Sequence, residues 1–241
     1  MHDVEIRAEI VDRVLARRGR YHVFDSLDPA KTALIVIDMQ GTFVEQGAPA
    51  EVPKSRDIVG PINALADDLR AMGATIIWVT HANTHNSRAS DWELFFNHFV
   101  ADDVRQKTIE SLAPGGAGQR VWRELKVSED DLQVVKNRYS ALVPGSSPLE
   151  RVLRSRGLSN LLIAGTKTNV CCEATGRDAM MMDYRVVMVS DCLAALSDDE
   201  HRSALETFIQ QFGDVMTSHE VLSVLRRRLN PQEADPGSRR S

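Results

Sequence analysis

The stretch that decides the fold reads Leu161-Leu-Ile-Ala-Gly-Thr-Lys-Thr-Asn-Val-Cys-Cys-Glu-Ala-Thr-Gly-Arg-Asp-Ala179. Its apolar start is typical of a buried strand, and the run ends abruptly at Gly165. A helix-compatible segment follows, with Cys171 and Cys172 at its first turn. Because the positive end of the helix dipole favours an anion, this position favours a thiolate. The stretch therefore predicts a nucleophile rather than a disulfide.

Strands and helices alternate on both sides of this stretch. Short apolar runs predict strands, and helical spacing of apolar residues predicts helices. The predicted strands are Ala33–Asp38, Thr75–Thr80, Leu132–Lys136, Asn160–Ala164, Arg185–Ser190 and Val215–Thr217. The predicted helices are Val4–Arg18, Ile58–Met72, Pro148–Arg156, Asn169–Met182, Asp198–Phe212 and Ser218–Leu229. This order indicates an α/β protein, a Rossmann-like three-layer sandwich with a mainly parallel six-stranded sheet.

Composition narrows the class of protein. The 241 residues suit one large domain, and a net charge of −5 without a basic face argues against a nucleic-acid partner. Apolar runs of about 7 residues are too short to span a membrane, and the first residues lack a signal-peptide core. Three cysteines do not form a disulfide framework, so we expect a cytoplasmic protein with reduced thiols.

The chain divides into three parts by composition. We expect an N-terminal helical extension over 1–30, an α/β domain over 31–229, and a disordered tail over 230–241 that is rich in Pro, Gly, Ser and charge. A long insertion, Asn83–Gln119, separates two strands and carries much of the aromatic content of the chain.

Three chemically reactive residues fall at strand ends. Asp38 ends the first predicted strand, Lys136 ends the third, and Cys171 follows the fourth. In a parallel sheet the carboxyl ends of the strands share one edge, where ligands bind. We therefore expect these three side chains to lie together.

With these residues in place, the sequence resembles the isochorismatase-like cysteine hydrolases. The resemblance covers roughly 32–225 and is carried by three blocks. The blocks are Ala33-Leu-Ile-Val-Ile-Asp-Met-Gln40, Val135-Lys-Asn-Arg-Tyr-Ser-Ala141, and Gly165-Thr-Lys-Thr-Asn-Val-Cys-Cys-Glu-Ala-Thr-Gly-Arg-Asp-Ala179. It implies a catalytic triad of Asp38, Lys136 and Cys171, which makes 31–229 a hydrolase domain. It also implies an oxyanion hole from the N–H groups of Thr168 and Cys171, and a cis peptide bond between Lys167 and Thr168.

The resemblance implies a cysteine amidohydrolase that cleaves the C–N bond of a small amide through a thioester and releases ammonia. The blocks Lys136-Asn-Arg-Tyr-Ser140 and Leu153-Arg-Ser-Arg-Gly157 are most similar to ureidoacrylate and other N-carbamoyl amidohydrolases, so a ureido or carbamoyl substrate is expected. The alternatives are an isochorismatase-type vinyl-ether hydrolase and a nicotinamidase-like amidase. An inactive scaffold, or a redox protein using Cys171 and Cys172, would belong to a different class.

Nicotinamidases also carry a metal-binding Asp-x-His after the second strand. Ala82 and Thr84 stand at those positions here, although His81 and His85 remain as candidate ligands if a helix brings them onto one face. We expect no metal and no cofactor.

Candidate substrate contacts are residues near strand ends or in the aromatic insertion: Gln40, Phe43, Asn83, Trp92 and Tyr139. Cys172 and Cys192 are expected to be packed small residues. Because the N-terminal helix and the insertion both offer apolar surface, we expect a homo-oligomer, a dimer or a tetramer.

Overall fold

The computed structural model describes residues 2–86 and 89–229, and the tail predicted over 230–241 lies outside them. Within this part of the chain the sheet has six parallel strands in the order β3-β2-β1-β4-β5-β6. The strands are β1 (Thr32–Ile37), β2 (Thr75–His81), β3 (Leu132–Lys136), β4 (Asn160–Thr166), β5 (Arg185–Ala194) and β6 (Asp214–Met216). The predicted α/β class with a parallel six-stranded sheet is confirmed.

Helices cover both faces of the sheet. They are α1 (Ala8–Arg18), α2 (Gly41–Val44), α3 (Val59–Ala71), α4 (Glu93–His98), α5 (Asp102–Ser111), α6 (Leu149–Ser155), α7 (Glu173–Met181), α8 (Asp198–Gln211) and α9 (Ser218–Leu229). Alternate residues of each central strand point to opposite faces, so Leu34 and Val36 pack with α3 and α9. Their neighbours Ala33, Ile35 and Ile37 pack with α6, α7 and α8. Burial on both faces explains why these strands are continuously apolar.

The N-terminal helix packs on the body of its own chain. Ile10 and Val14 are buried in the same core cluster as residues of α8. Arg7, just before α1, adds a two-pronged contact with Glu206 of α8, with Nη2 2.6 Å from Oε2. A charge-assisted pair of this geometry holds the helix against α8.

Gly165 permits the close approach of the two central strands. It pairs with Ile37 across β1 and β4, and its φ of +108° lies in the region that side chains avoid. A Cβ atom at this position would lie 2.0 Å from the Ile37 carbonyl oxygen. Only glycine therefore fits at this point of the sheet.

Some predicted boundaries are wrong. β5 continues to Ala194, so Cys192 lies within the strand rather than after it. Its pairing with β4 shifts register between Ile163 and Gly165, an irregularity that leaves no periodic pattern in the sequence. The helix predicted from Asn169 instead begins as a wider π-helical turn, Thr168–Cys172, before α7.

No helix in residues 2–86 and 89–229 is both long enough and apolar enough to cross a membrane.

Candidate active site

The structure brings Asp38, Lys136 and Cys171 together at the carboxyl edge of the sheet. Asp38 directly follows β1, Lys136 is the last residue of β3, and Cys171 lies in the π-helical turn after β4. Strands β1 and β4 are neighbours, and the strand order runs away from them in opposite directions. Such a switch point opens a crevice for ligands. Asp38 has a φ of 54°, a left-handed conformation that aspartate tolerates better than most residues.

The three side chains form one buried cluster. Lys136 Nζ lies 2.9 Å from Asp38 Oδ2, and both side chains are almost completely excluded from solvent. This distance is that of an ion pair, and neither Asp38 oxygen accepts a standard hydrogen bond from the described residues. Cys171 interacts with both partners. The carboxylate therefore keeps lone pairs for the thiol proton.

The ammonium group of Lys136 has two further polar partners besides the Asp38 carboxylate. It contacts His81 Nδ1 at 3.1 Å and donates to the Arg138 carbonyl oxygen at 3.1 Å. Full pairing explains how a lysine is held charged in the interior. Lys136 is thus arranged as a fixed positive charge rather than as a proton donor.

His81, one of the two histidines weighed as candidate metal ligands, is the last residue of β2 and contacts Lys136 instead. Its Nε2 lies 2.7 Å from Asn83 Oδ1, and Asn83 in turn donates to Asp91 Oδ1 at 2.7 Å. Since Nδ1 accepts from Lys136, Nε2 carries the proton. Sequence spacing gives no signal for this contact, because it depends on the register that pairs His81 with Lys136 across β2 and β3.

Burial and charge set the protonation states of the cluster. Burial raises the pKa of the Asp38 carboxyl group, although the charge of Lys136 opposes this. Burial alone would lower the pKa of Lys136, but the Asp38 carboxylate and Cys171 together outweigh it and the pKa is raised. The pKa of His81 is held well below its usual value by burial and then by Lys136, so the ring is neutral.

Cys171 is a thiol at rest, which corrects the expectation of a thiolate. Burial raises the pKa of Cys171 to about 12; the Asp38 carboxylate adds to this rise and Lys136 opposes it. These effects outweigh the helix terminus, which is worth at most about 2 kcal/mol. The thiol can become a thiolate only by losing its proton, and Asp38 is an adjacent acceptor.

The other two cysteines are structural. Cys172 is fully buried and its Sγ points back to the Ala164 carbonyl oxygen at 3.8 Å. Cys192 is fully buried in the core cluster between the sheet and α3. All three cysteines are free, so Cys171 and Cys172 form no disulfide.

A cavity of about 430 Å³ opens onto Cys171. Three of the predicted substrate contacts line it: Phe43, Trp92 and Tyr139. The ring centroids of Trp92 and Tyr139 are 4.8 Å apart, so the aromatic insertion forms a wall of the cavity.

Two predicted substrate contacts, Gln40 and Asn83, are not among the residues that line this cavity. The Gln40 amide accepts from the His81 N–H at 2.6 Å and donates to its carbonyl oxygen at 3.0 Å. Asn83 is occupied by His81 and Asp91. Since both side chains are fully buried and already bonded, their observed role is to position His81.

The cis peptide bond of the nucleophile loop joins Thr166 and Lys167, one residue before the predicted position. This bond therefore joins the last residue of β4 to the loop that follows. Thr168, the next residue, has its hydroxyl group 2.9 Å from His201 Nδ1 of α8.

His81 and His85 do not share a helical face. His81 ends β2, whereas His85 lies in a loop and pairs with Ser90 through an isolated bridge. Among the described residues, no group of three or more His, Cys, Asp and Glu side chains is arranged to hold a metal ion.

A cysteine, a carboxylate and a lysine in contact at the switch point of a parallel sheet have the arrangement of a hydrolase with a covalent nucleophile. The model of the isochorismatase domain matches residues 32–220. The chain therefore belongs to the isochorismatase family.

Similar proteins agree with this assignment. The chain is 30% identical over 224 residues to a ureidoacrylate amidohydrolase from Klebsiella pneumoniae, covering 82% of this chain and 89% of the relative. It is 33% identical over 172 residues to a probable inactive nicotinamidase from Arabidopsis thaliana, covering 70% and 84%. A solved cysteine hydrolase from Pseudomonas syringae pv. phaseolicola superimposes with a TM-score of 0.73 at 31% identity, covering 83% and 94%.

Proposed function

We propose that the protein is a cysteine amidohydrolase that cleaves the C–N bond of a small amide, ureido or carbamoyl substrate through a thioester and releases ammonia. The observation that carries this proposal is the contact among Cys171, Asp38 and Lys136 at the floor of an apolar cavity. The similarity to a ureidoacrylate amidohydrolase supports the ureido or carbamoyl class.

In the first half-reaction, Asp38 accepts the thiol proton as Cys171 Sγ attacks the carbonyl carbon. The resulting oxyanion receives hydrogen bonds from backbone N–H groups, for which Thr168 and Cys171 remain the proposed donors. Asp38 then returns the proton to the leaving nitrogen, the C–N bond breaks, and a thioester remains on Cys171.

In the second half-reaction, a water molecule attacks the thioester carbonyl and gives a proton to Asp38. The C–S bond breaks, and the sulfur recovers the proton from Asp38. Lys136 keeps its charge throughout and stabilises the carboxylate and the transient thiolate in turn. The raised pKa of the Asp38 carboxyl group suits it for both directions of transfer.

Two alternatives remain candidates. A nicotinamidase-like amidase would use the same triad, and a relative named as a probable inactive nicotinamidase together with the aromatic cavity favours it. A vinyl-ether hydrolase needs an acid such as Asp38 but no thiol.

Ammonia release over a panel of primary amides, ureido acids and carbamates tests the proposal. Cys171→Ala and Asp38→Asn should each lower turnover by about 10⁴-fold. Cys172→Ala is the matched control, because that thiol faces the sheet, and it should keep its activity. Full turnover of any amide by Cys171→Ala would contradict the thioester route. If Cys171→Ala instead keeps activity only on a vinyl ether, the result would favour isochorismatase-type chemistry.

The free state of all three cysteines supports a reducing compartment such as the cytoplasm. We also propose a homo-oligomer, supported by the exposed Leu94 and Phe99 on and beside α4, which are 64% and 73% exposed.

A further inference from the structure

The cavity above Cys171 is apolar on most of its surface. Its lining is dominated by apolar and aromatic side chains, among them Phe43, Trp92, Phe95 and Leu196. Its volume of about 430 Å³ lies in the lower part of the range found for small-molecule sites. In such a cavity a few polar groups decide which ligand binds.

Two residues of the lining carry a formal charge, Glu51 and Lys167, since His81 is neutral. The charge of Glu51 is already compensated. Its Oε1 accepts from Arg56 at 2.8 Å, and its Oε2 accepts from the Gly47 N–H at 2.8 Å. These bonds fix the loop that forms one rim of the cavity.

Lys167 is not compensated. Its side chain is half-buried and lines the cavity, yet it makes no hydrogen bond or ion pair with any residue in the described part of the chain. Its backbone is held, because its carbonyl oxygen accepts from the N–H groups of Val170 and Cys172. The side chain therefore starts from a fixed point four residues before the nucleophile.

The neighbouring catalytic cluster offers Lys167 no net negative charge. Asp38 and Lys136 cancel each other, and Cys171 rests as a thiol. An ammonium group without a counter-charge in an apolar cavity can form a charge-assisted pair with an anion that enters the cavity. The anion has to come from the ligand.

We infer that the substrate carries an anionic group, a carboxylate, which pairs with Lys167 while its amide or ureido carbonyl lies at Cys171. This inference rests on the proposed amidohydrolase function and narrows its substrate class. It favours a ureido or carbamoyl acid with a short apolar body over a neutral aromatic amide such as a nicotinamidase would take. Lys167 is then the residue that determines specificity.

Matched substrate pairs test the inference. 3-Ureidopropionate and 4-carbamoylbenzoate are each compared with their methyl esters, with ammonia release as the readout. The protein should prefer the acid of each turned-over pair by 10-fold or more in kcat/KM. Lys167→Met should bring this preference close to one, mainly through KM, whereas Lys167→Arg should keep it. Lys31→Met is the matched control, because Lys31 is exposed just before β1 at the opposite edge of the sheet.

The outcomes separate the two proposals. If the neutral partner is hydrolysed as well as the acid, or if Lys167→Met keeps the preference, the inference is wrong and the amidohydrolase function stands. If no amide or ureido compound is turned over, the proposed function fails. Calorimetric titration of the same pairs into the Cys171→Ala protein then still decides the inference. Tighter binding of the acid than of the neutral partner, lost when Lys167→Met is added, supports the inference. Equal binding of the acid and the neutral partner overturns it.

Discussion

Replacing Asp38 with Asn should separate ionisation of the nucleophile from turnover. Asn has the same shape and tolerates the left-handed φ of 54° at this position. The substitution removes the carboxylate that raises the thiol pKa and leaves Lys136 without its counter-ion. The Cys171 thiolate is the anion that can replace it.

The size of the effect follows from Coulomb's law. Two unit charges about 4 Å apart interact by about 4 kcal/mol at an effective dielectric constant of 20, which is about 3 pK units. The pKa of Cys171 should therefore fall from about 12 to about 9. At pH 8 the thiolate fraction rises from about 1 in 10,000 to about 1 in 10.

Alkylation kinetics measure this change. Iodoacetamide should label Cys171 in Asp38→Asn about 10³-fold faster than in the unsubstituted protein at pH 8, while ammonia release is lost because no base remains. Cys172 and Cys192 are internal references, since burial raises their pKa well above the usual value. Lys136→Met should slow labelling instead. Equal labelling rates in Asp38→Asn and the unsubstituted protein would refute this electrostatic reasoning.

Four further outcomes are expected. Gly165→Ala should lower the free energy of unfolding by about 3 kcal/mol, because the added Cβ clashes with Ile37. Gly60→Ala, which has open space around it, should not lower that free energy. Equal denaturant midpoints for the two variants would contradict this. His81→Leu removes a hydrogen-bond acceptor from Lys136, so it should lower kcat about 10-fold and shift the pH profile of kcat. His81→Gln should partly restore kcat. Burial lowers the pKa of His201 to about 3, so below pH 6.5 the unfolded state binds a proton that the folded state rejects. Stability should therefore fall from pH 6.5 towards pH 3, and His201→Gln should reduce that slope by up to about 1.4 kcal/mol per pH unit in denaturant titrations. Light scattering should give a mass at least twice the 26.8 kDa of one chain, and a monomer would contradict the proposed homo-oligomer.

The central strands were predictable because their burial on both faces leaves a continuous apolar run in the sequence. β1 and β4 are buried along their whole length, and both were recognised from that pattern. The end of β5 was not, because Leu193 and Ala194 pair with β4 only after a register shift. That shift depends on contacts between strands, which apolar periodicity does not record.

The same limit applies to the site. The sequence predicts that Asp38, Lys136 and Cys171 lie close together, because the carboxyl ends of parallel strands share one edge of the sheet. The role of His81 depends on the register between β2 and β3, and the resting thiol depends on how deeply Cys171 is buried. The unpaired charge of Lys167 depends on what surrounds it in the cavity. These are tertiary properties that local sequence spacing does not record.

The most direct test of the account is acid-quenched, single-turnover mass spectrometry with the best substrate from the panel. The account predicts a transient acyl group on the peptide that contains Cys171, formed as ammonia is released and lost as the acid product appears. Release of ammonia at an unchanged rate by Cys171→Ala, with no acyl adduct at any time point in the unsubstituted protein, would contradict it.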